Sequence, residues 1–148
     1  EYLNWRYCDP RSGDFVVSQV EDDGGRILGY SVLRINRYLG EYPIGYLVDL
    51  LALPSRLDVA EALVIDAVRY FDEQNINIVN SLVVKNHPYK KILHRYGFLD
   101  SRIKLQLFLS SASQILDELN ALETFASDRM YFSYGDIDSL PARMPNNR

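Results

Sequence analysis

The sequence predicts an α/β (α+β) domain built on a mixed, mostly antiparallel sheet with helices packed on its faces. Three observations carry that expectation. Two apolar stretches, 15–20 and 27–35, flank Asp22-Asp-Gly-Gly25, a run of turn formers that closes a β-hairpin. The stretch 45–53 is apolar on both faces, as a central strand covered on both sides must be. An amphipathic helical pattern follows at once, so strand and helix alternate rather than segregate.

Each element has its own justification. Pro54 ends the central strand, because it has no N–H to give a ladder. Val59, Ala62, Leu63, Ala67, Tyr70 and Phe71 form one stripe at helical spacing, giving a helix from Asp58 to about Gln74. A buried strand spans 76–84. Pro88 suits the first turn of a short helix, Ile92, Leu93 and Tyr96 recur at helical spacing, and Gly97 can take the left-handed conformation that ends it. Residues 103–109 alternate as a further strand, 111–122 read as a helix, and 130–134 as a last short strand.

Composition narrows the function classes. The chain has 148 residues, 47% hydrophobic and 24% charged, which suits one globular domain over 1–148, with a C-terminal helix and strand at 110–138 and a tail at 139–148. A net charge of −4 argues against a nucleic-acid-binding surface. The single Cys8 has no internal disulfide partner and points to the cytoplasm, and two His with one Cys cannot form a Cys/His zinc cage without carboxylates. No apolar run reaches membrane-spanning length. The chain opens without Met, which suggests a fragment of something longer.

The stretch Val84-Lys-Asn86-His-Pro88-Tyr-Lys-Lys-Ile-Leu93-His-Arg-Tyr96-Gly97-Phe98 places an Asn at a strand end, then a helix of about two turns, then Gly-Phe. That spacing resembles the end of the acyl-CoA-binding core of the GCN5-related N-acetyltransferases (GNAT). The element order matches that family from its second strand onward, over roughly 14–109. The flanks Tyr2-Leu-Asn-Trp5-Arg6-Tyr7 and Tyr131-Phe-Ser-Tyr-Gly135-Asp136-Ile-Asp138 look like those of two-part GNAT-like proteins. Trp5 and Tyr7 can equally be core filler, and Asp136 with Asp138 a polar turn; as a metal site those two carboxylates supply too few oxygens.

The resemblance implies acetyl-CoA, or another acyl-CoA, as co-substrate and a small-molecule or peptide amine as acceptor, with no metal. It implies that Leu51, Ala52 and Leu53 hold the pantetheine arm by their strand edge, that Arg56, Leu57, Asp58, Val59 and Ala60 meet the phosphates, and that Asn86 bonds the pantetheine. Asn86 can instead be a turn residue capping the following helix. Two departures stand out. The family's phosphate loop carries glycines, whereas Pro54-Ser-Arg56-Leu-Asp58-Val-Ala-Glu61 has none. Asp58 with Glu61 reads as a capping box that would place negative charge where a pyrophosphate must sit. The tyrosine that often protonates the leaving thiolate falls at Leu93, so Tyr89 becomes the relocated candidate, with core packing as its other reading.

Asp49 stands among aliphatic neighbours on the central strand, where a carboxylate suits a general base; its alternative is pairing with Arg34 or Arg37 of the adjacent strand. His87 and His94 read as exposed or capping.

The expected function is therefore acyl transfer from acyl-CoA to an amine, with a non-catalytic GNAT-like half of a larger protein as the alternative. Three structural expectations follow. The strands ending at Leu53 and Val84 should splay apart. The missing glycines should leave acetyl-CoA binding in the millimolar range or weaker. Finally, the outer edge of the 15–20 strand should be covered by the N-terminal segment anchored through Trp5, by a second copy of the chain, or by another domain, the last being favoured.

Overall fold

A computed structural model describes residues 3–9, 11, 13–37, 42–101 and 131–137. Four strands form one sheet in the order β1 (Phe15–Glu21), β2 (Ile27–Asn36), β3 (Ile44–Ala52), β4 (Ile78–Ser81). The first three are antiparallel neighbours, and β4 joins β3 in parallel after a crossover through α1 (Leu57–Glu73). The α/β class with a mixed, mostly antiparallel sheet is as the sequence predicts. The strand 103–109 and the helix 111–122 lie outside the described residues.

The β1–β2 turn closes as expected, with the Gly25 N–H donating to the Asp22 carbonyl at 2.9 Å and the Asp22 carboxylate accepting from the Gly24 and Arg26 N–H groups. The α1 stripe is rotated from the expected one. Val59, Ala60, Leu63, Val64, Ala67 and Phe71 are buried, while Ala62 is exposed and Tyr70 half-buried. Together with Leu33, Leu47, Leu50 and Ile76 they fill one face of the sheet, where each fully buried aliphatic or Phe side chain contributes roughly 1.5–3 kcal/mol.

Both helices end by the same device. In α2 (Tyr89–Arg95) the Phe98 N–H donates to the Leu93 carbonyl at 3.1 Å and the Gly97 N–H to that of His94 at 3.3 Å, with Gly97 at φ +90°. In α1 the Ile76 N–H bonds the Phe71 carbonyl and the Asn75 N–H that of Asp72, both at 2.9 Å, with Asn75 left-handed at φ 56°. This double bond satisfies carbonyls that a helix end otherwise leaves bare.

The opposite face of the sheet is covered by two short pieces. A π-helical turn, Asn4–Cys8, lays Tyr7 over Val32 and Val48, with the Tyr7 ring edge-on to Phe15 at 5.2 Å. The segment 131–137 lies beside it. Residues 131–133 are unpaired in the sheet, and Tyr134–Asp136 is one turn of 3-10 helix, so the last short strand of the sequence reading is not formed within the described residues. Trp5 is 66% exposed, so the anchor of the N-terminal segment is Tyr7 and not Trp5. Among the described residues β1 is the terminal strand of the sheet and pairs only with β2. No described helix is long and apolar enough to cross a membrane.

Candidate active site

The site begins at a bulge in β3. Pairing with β2 runs in one register from Ala52 to Asp49 and in another from Leu47 onward, so Val48 is the extra residue. A bulge bends and twists its strand. The consequence shows on the other edge, where parallel pairing with β4 stops at Leu47↔Ser81. Beyond it β3 continues to Ala52 while 82–84 run unpaired, and the two chains part. The expected splay is present.

The opening is lined by Leu47, Asp49, Leu50, Leu82, Val83, Tyr89, Leu93 and Tyr131, and little of it is vacant: about 10 Å³, room for about one water. Two tyrosine hydroxyls meet the exposed edge of β3. The Leu50 N–H donates to the Tyr131 hydroxyl at 2.8 Å, and the Ala52 N–H to that of Tyr89 at 2.9 Å. The Leu53 N–H instead bonds the Leu28 carbonyl at 3.0 Å, and ladder alternation turns Leu51 the same way. Of the three residues expected to hold a pantetheine arm, only Ala52 presents its backbone N–H to the opening, and Leu50 is the partner that sequence reasoning missed.

Asp49 lies on the sheet face away from α1 and is 6% exposed. Four hydroxyls converge on it. Oδ2 faces Tyr30 Oη at 3.1 Å and Tyr7 Oη at 3.4 Å; Oδ1 accepts from Tyr131 and faces Ser133 Oγ at 3.3 Å. The expected arginine partners are elsewhere: Arg37 reaches Gln74 Oε1 at 3.3 Å, and the Arg34 guanidinium lies over the Phe15 ring. Hydroxyls thus compensate the dehydrated carboxylate, as buried charges require.

Two phenols in the site are held protonated. Burial, then the Asp49 charge and the Tyr131–Asp49 bond, push the Tyr131 phenol far above the usual tyrosine range. Burial likewise raises Tyr89, whose hydroxyl also lies 3.4 Å from the Ala52 carbonyl. The Tyr131 ring is edge-on to His87 at 5.8 Å and to Tyr89 at 6.3 Å. His87 Nδ1 accepts from the Tyr89 N–H at 3.3 Å, the capping role expected of it. Asn86 is an exposed turn residue ahead of α2, whose N-cap position is taken by Pro88.

The segment carrying Tyr131 is fastened at several points. Ser133 and Asp136 form a reciprocal cap on the 3-10 turn, with the Ser133 N–H donating to Asp136 Oδ2 at 2.9 Å and the Gly135 N–H to Ser133 Oγ at 3.1 Å. Arg6 donates to the Gly135 carbonyl. Asp136 is therefore a turn-capping residue; Asp138 lies outside the described residues. No group of His, Cys, Asp and Glu able to hold a metal occurs among the described residues.

The loop after β3 corrects the capping-box expectation. α1 begins at Leu57 with Arg56 as its cap and no side-chain bond there. Asp58 pairs with Arg56 at 2.7 Å, and Glu61 turns away to Arg95 at 2.5 Å and the Tyr96 hydroxyl at 2.8 Å. The Val59 and Ala60 N–H groups both point at the Arg56 carbonyl, at 3.1 and 3.3 Å, and their side chains are buried, while the Leu57 side chain is exposed. The one cation of the loop, Arg56, is engaged by Asp58.

Solved acetyltransferases superpose on this arrangement of sheet and helices. An acetyltransferase of Trypanosoma brucei superposes with a TM-score of 0.57 at 20% identity, covering 72% of this chain and 77% of that one. The chain has a GNAT-like fold. A predicted acetyltransferase of Clostridium acetobutylicum, solved with acetyl-CoA, gives 0.55 at 18% identity over 72% and 70% of the two chains. Glucosamine-6-phosphate N-acetyltransferase of Arabidopsis thaliana gives 0.54 at 13% over 66% and 68%. No protein-family profile matches the sequence, and no curated protein does. The GNAT-like likeness therefore rests on three-dimensional arrangement.

Proposed function

We propose that this GNAT-like domain is an acyl-CoA-dependent N-acyltransferase that transfers an acetyl group to a primary amine. The observation that carries the reading is the split sheet with two outward N–H groups, Leu50 and Ala52, each already bonded to an oxygen. A thioester and its amide-bearing arm offer oxygens of the same kind along an extended chain. The ammonium first loses one proton. The neutral amine then attacks the thioester carbon while an N–H of β3 polarises the carbonyl oxygen, the C–S bond breaks, the sulfur takes the Tyr89 proton, and the second nitrogen proton returns to the Tyr89 oxygen. Tyr89, one of the two protonated phenols of the opening, serves as proton donor. Asp49 takes the proton lost by the ammonium.

Leu51, Leu53, Arg56, Leu57, Asp58 and Asn86 remain as contacts of the coenzyme's outer parts. The domain is expected to work beside another domain or a second copy. The paired Arg56 and glycine-free loop predict millimolar binding of acetyl-CoA, on the order of −4 kcal/mol, by calorimetry. Thiol release from acetyl-CoA with a panel of primary amines tests turnover. Asp49→Asn and Tyr89→Phe should each lower kcat about 100-fold or more. A sub-micromolar constant would mean the loop is a working phosphate site. Absence of both binding and thiol release at 10-millimolar order concentrations would favour the non-catalytic half, which the engaged loop and the filled opening also support.

A further inference from the structure

Tyr131 belongs to neither of the elements that form the opening. It arrives on the segment 131–137, which is tied down outside the opening by Arg6 on the Gly135 carbonyl and by the Ser133–Asp136 cap. From there its ring packs edge-on against His87 and Tyr89, whose own rings are 4.3 Å apart, and its hydroxyl does two things at once. It accepts the Leu50 N–H at 2.8 Å and donates to Asp49 Oδ1. The first bond uses the backbone donor nearest the bulge; the second covers an oxygen of the buried carboxylate. Space for about one water is left beside it.

We infer that Tyr131 is an autoinhibitory plug, a side chain that occupies the acyl-binding opening of its own domain and must withdraw before an acyl-CoA can enter. The inference rests on the acyltransferase reading. Withdrawal releases the Leu50 N–H for a carbonyl oxygen and uncovers Asp49 Oδ1 for the incoming ammonium in one movement. Entry of the thioester and exposure of the base are thereby coupled, and the segment 131–137 is the element that sets the balance. The closed form loses a neutral hydrogen bond at Leu50 and a charge-assisted one at Asp49 on opening, which suppresses coenzyme affinity in the resting protein. The same coupling gives the millimolar affinity a second cause, independent of the loop after β3.

The test uses the full chain, its Tyr131→Phe variant and its Tyr131→Ala variant, with two readouts. Amide exchange at Leu50, followed by NMR, reports the plug without any ligand. Acetyl-CoA titration, followed on the amides of Leu50 and Ala52, reports entry. The expected result is a Leu50 amide that exchanges faster in Tyr131→Phe while Val32 and Val48 keep their protection, and acetyl-CoA binding tightened roughly tenfold or more, since the variant removes both the neutral and the charge-assisted bond. Tyr131→Ala, which also vacates the ring volume, should bind at least as well; loss of Val32 and Val48 protection in it would show unfolding, and the Phe variant then decides. Unchanged Leu50 exchange in Tyr131→Phe overturns the plug, as does equal acetyl-CoA affinity in parent and variant, which leaves the acyl-CoA reading standing. No binding to any of the three proteins, with the Leu50 amide freed, overturns the acyl-CoA reading, and the plug as a gate falls with it.

Discussion

A side chain at Gly135 has nowhere to go. A Cβ there would run into the Tyr7 hydroxyl and lie 3.2 Å from Ser133 Oγ and 3.4 Å from Asp49 Cγ. Gly135→Ala must push the 131–137 segment off Tyr7 and loosen the hydroxyl shell of Asp49, at a cost of about 1–3 kcal/mol. Urea unfolding should show a lower midpoint with an unchanged slope; a midpoint equal to the parent's would mean the segment is not packed as described. At this scale the sequence singled out Asp49 and Tyr89 but not their surroundings. The hydroxyls on Asp49 come from residues 42, 19, 82 and 84 positions away along the chain. No periodicity or spacing rule connects residues at those separations, and arginines on the adjacent strand were the nearer-seeming partners.

Elements were far more legible, because their signals are local. The hairpin turn, the doubly apolar β3 and the Gly97 helix end all appear within one or two residues of where the sequence puts them. Gly97 supports a further prediction. At φ +90° an alanine is strained although open space surrounds the position, so Gly97→Ala should destabilise by about 1 kcal/mol through backbone conformation alone. Thermal unfolding checks this, and a more stable variant would contradict the double hydrogen bond to Leu93 and His94. The β3 bulge was not legible: Val48 is one aliphatic residue in a run of them, and which residue is extra depends on the register against β2. The α1 stripe failed by a small rotation, since Ala and Tyr fit either the face or its margin, and only packing on the sheet chooses Ala60 and Val64 over Ala62 and Tyr70.

For the molecule as a whole, α1 and α2 are joined on the surface by Glu61, which takes the Arg95 guanidinium and the Tyr96 hydroxyl. The Tyr96 and Arg95 bonds, in that order, hold the Glu61 carboxyl below its ordinary value of 4.5. A folded-state value lower than the unfolded one means stability present above about pH 4.5 and lost as pH falls through the folded value. Glu61→Gln should therefore lower the melting temperature slightly at neutral pH, and the difference from the parent should shrink as pH is taken below 4.5. A difference that grew on acidification would show that the link is not electrostatic. The pair is exposed, so the effect is small and salt-sensitive.

By itself the sequence determined the class of the fold, the order of its elements from the hairpin to α2 and the place where the sheet opens. These follow from local facts: apolar period and turn chemistry. Tertiary structure alone decided what fills the opening. Tyr131 stands 81 positions from the Leu50 N–H that it meets. A contact of that kind is set by how a terminal segment docks on Arg6 and Tyr7 once the sheet exists, and nothing in the local pattern of either partner requires it.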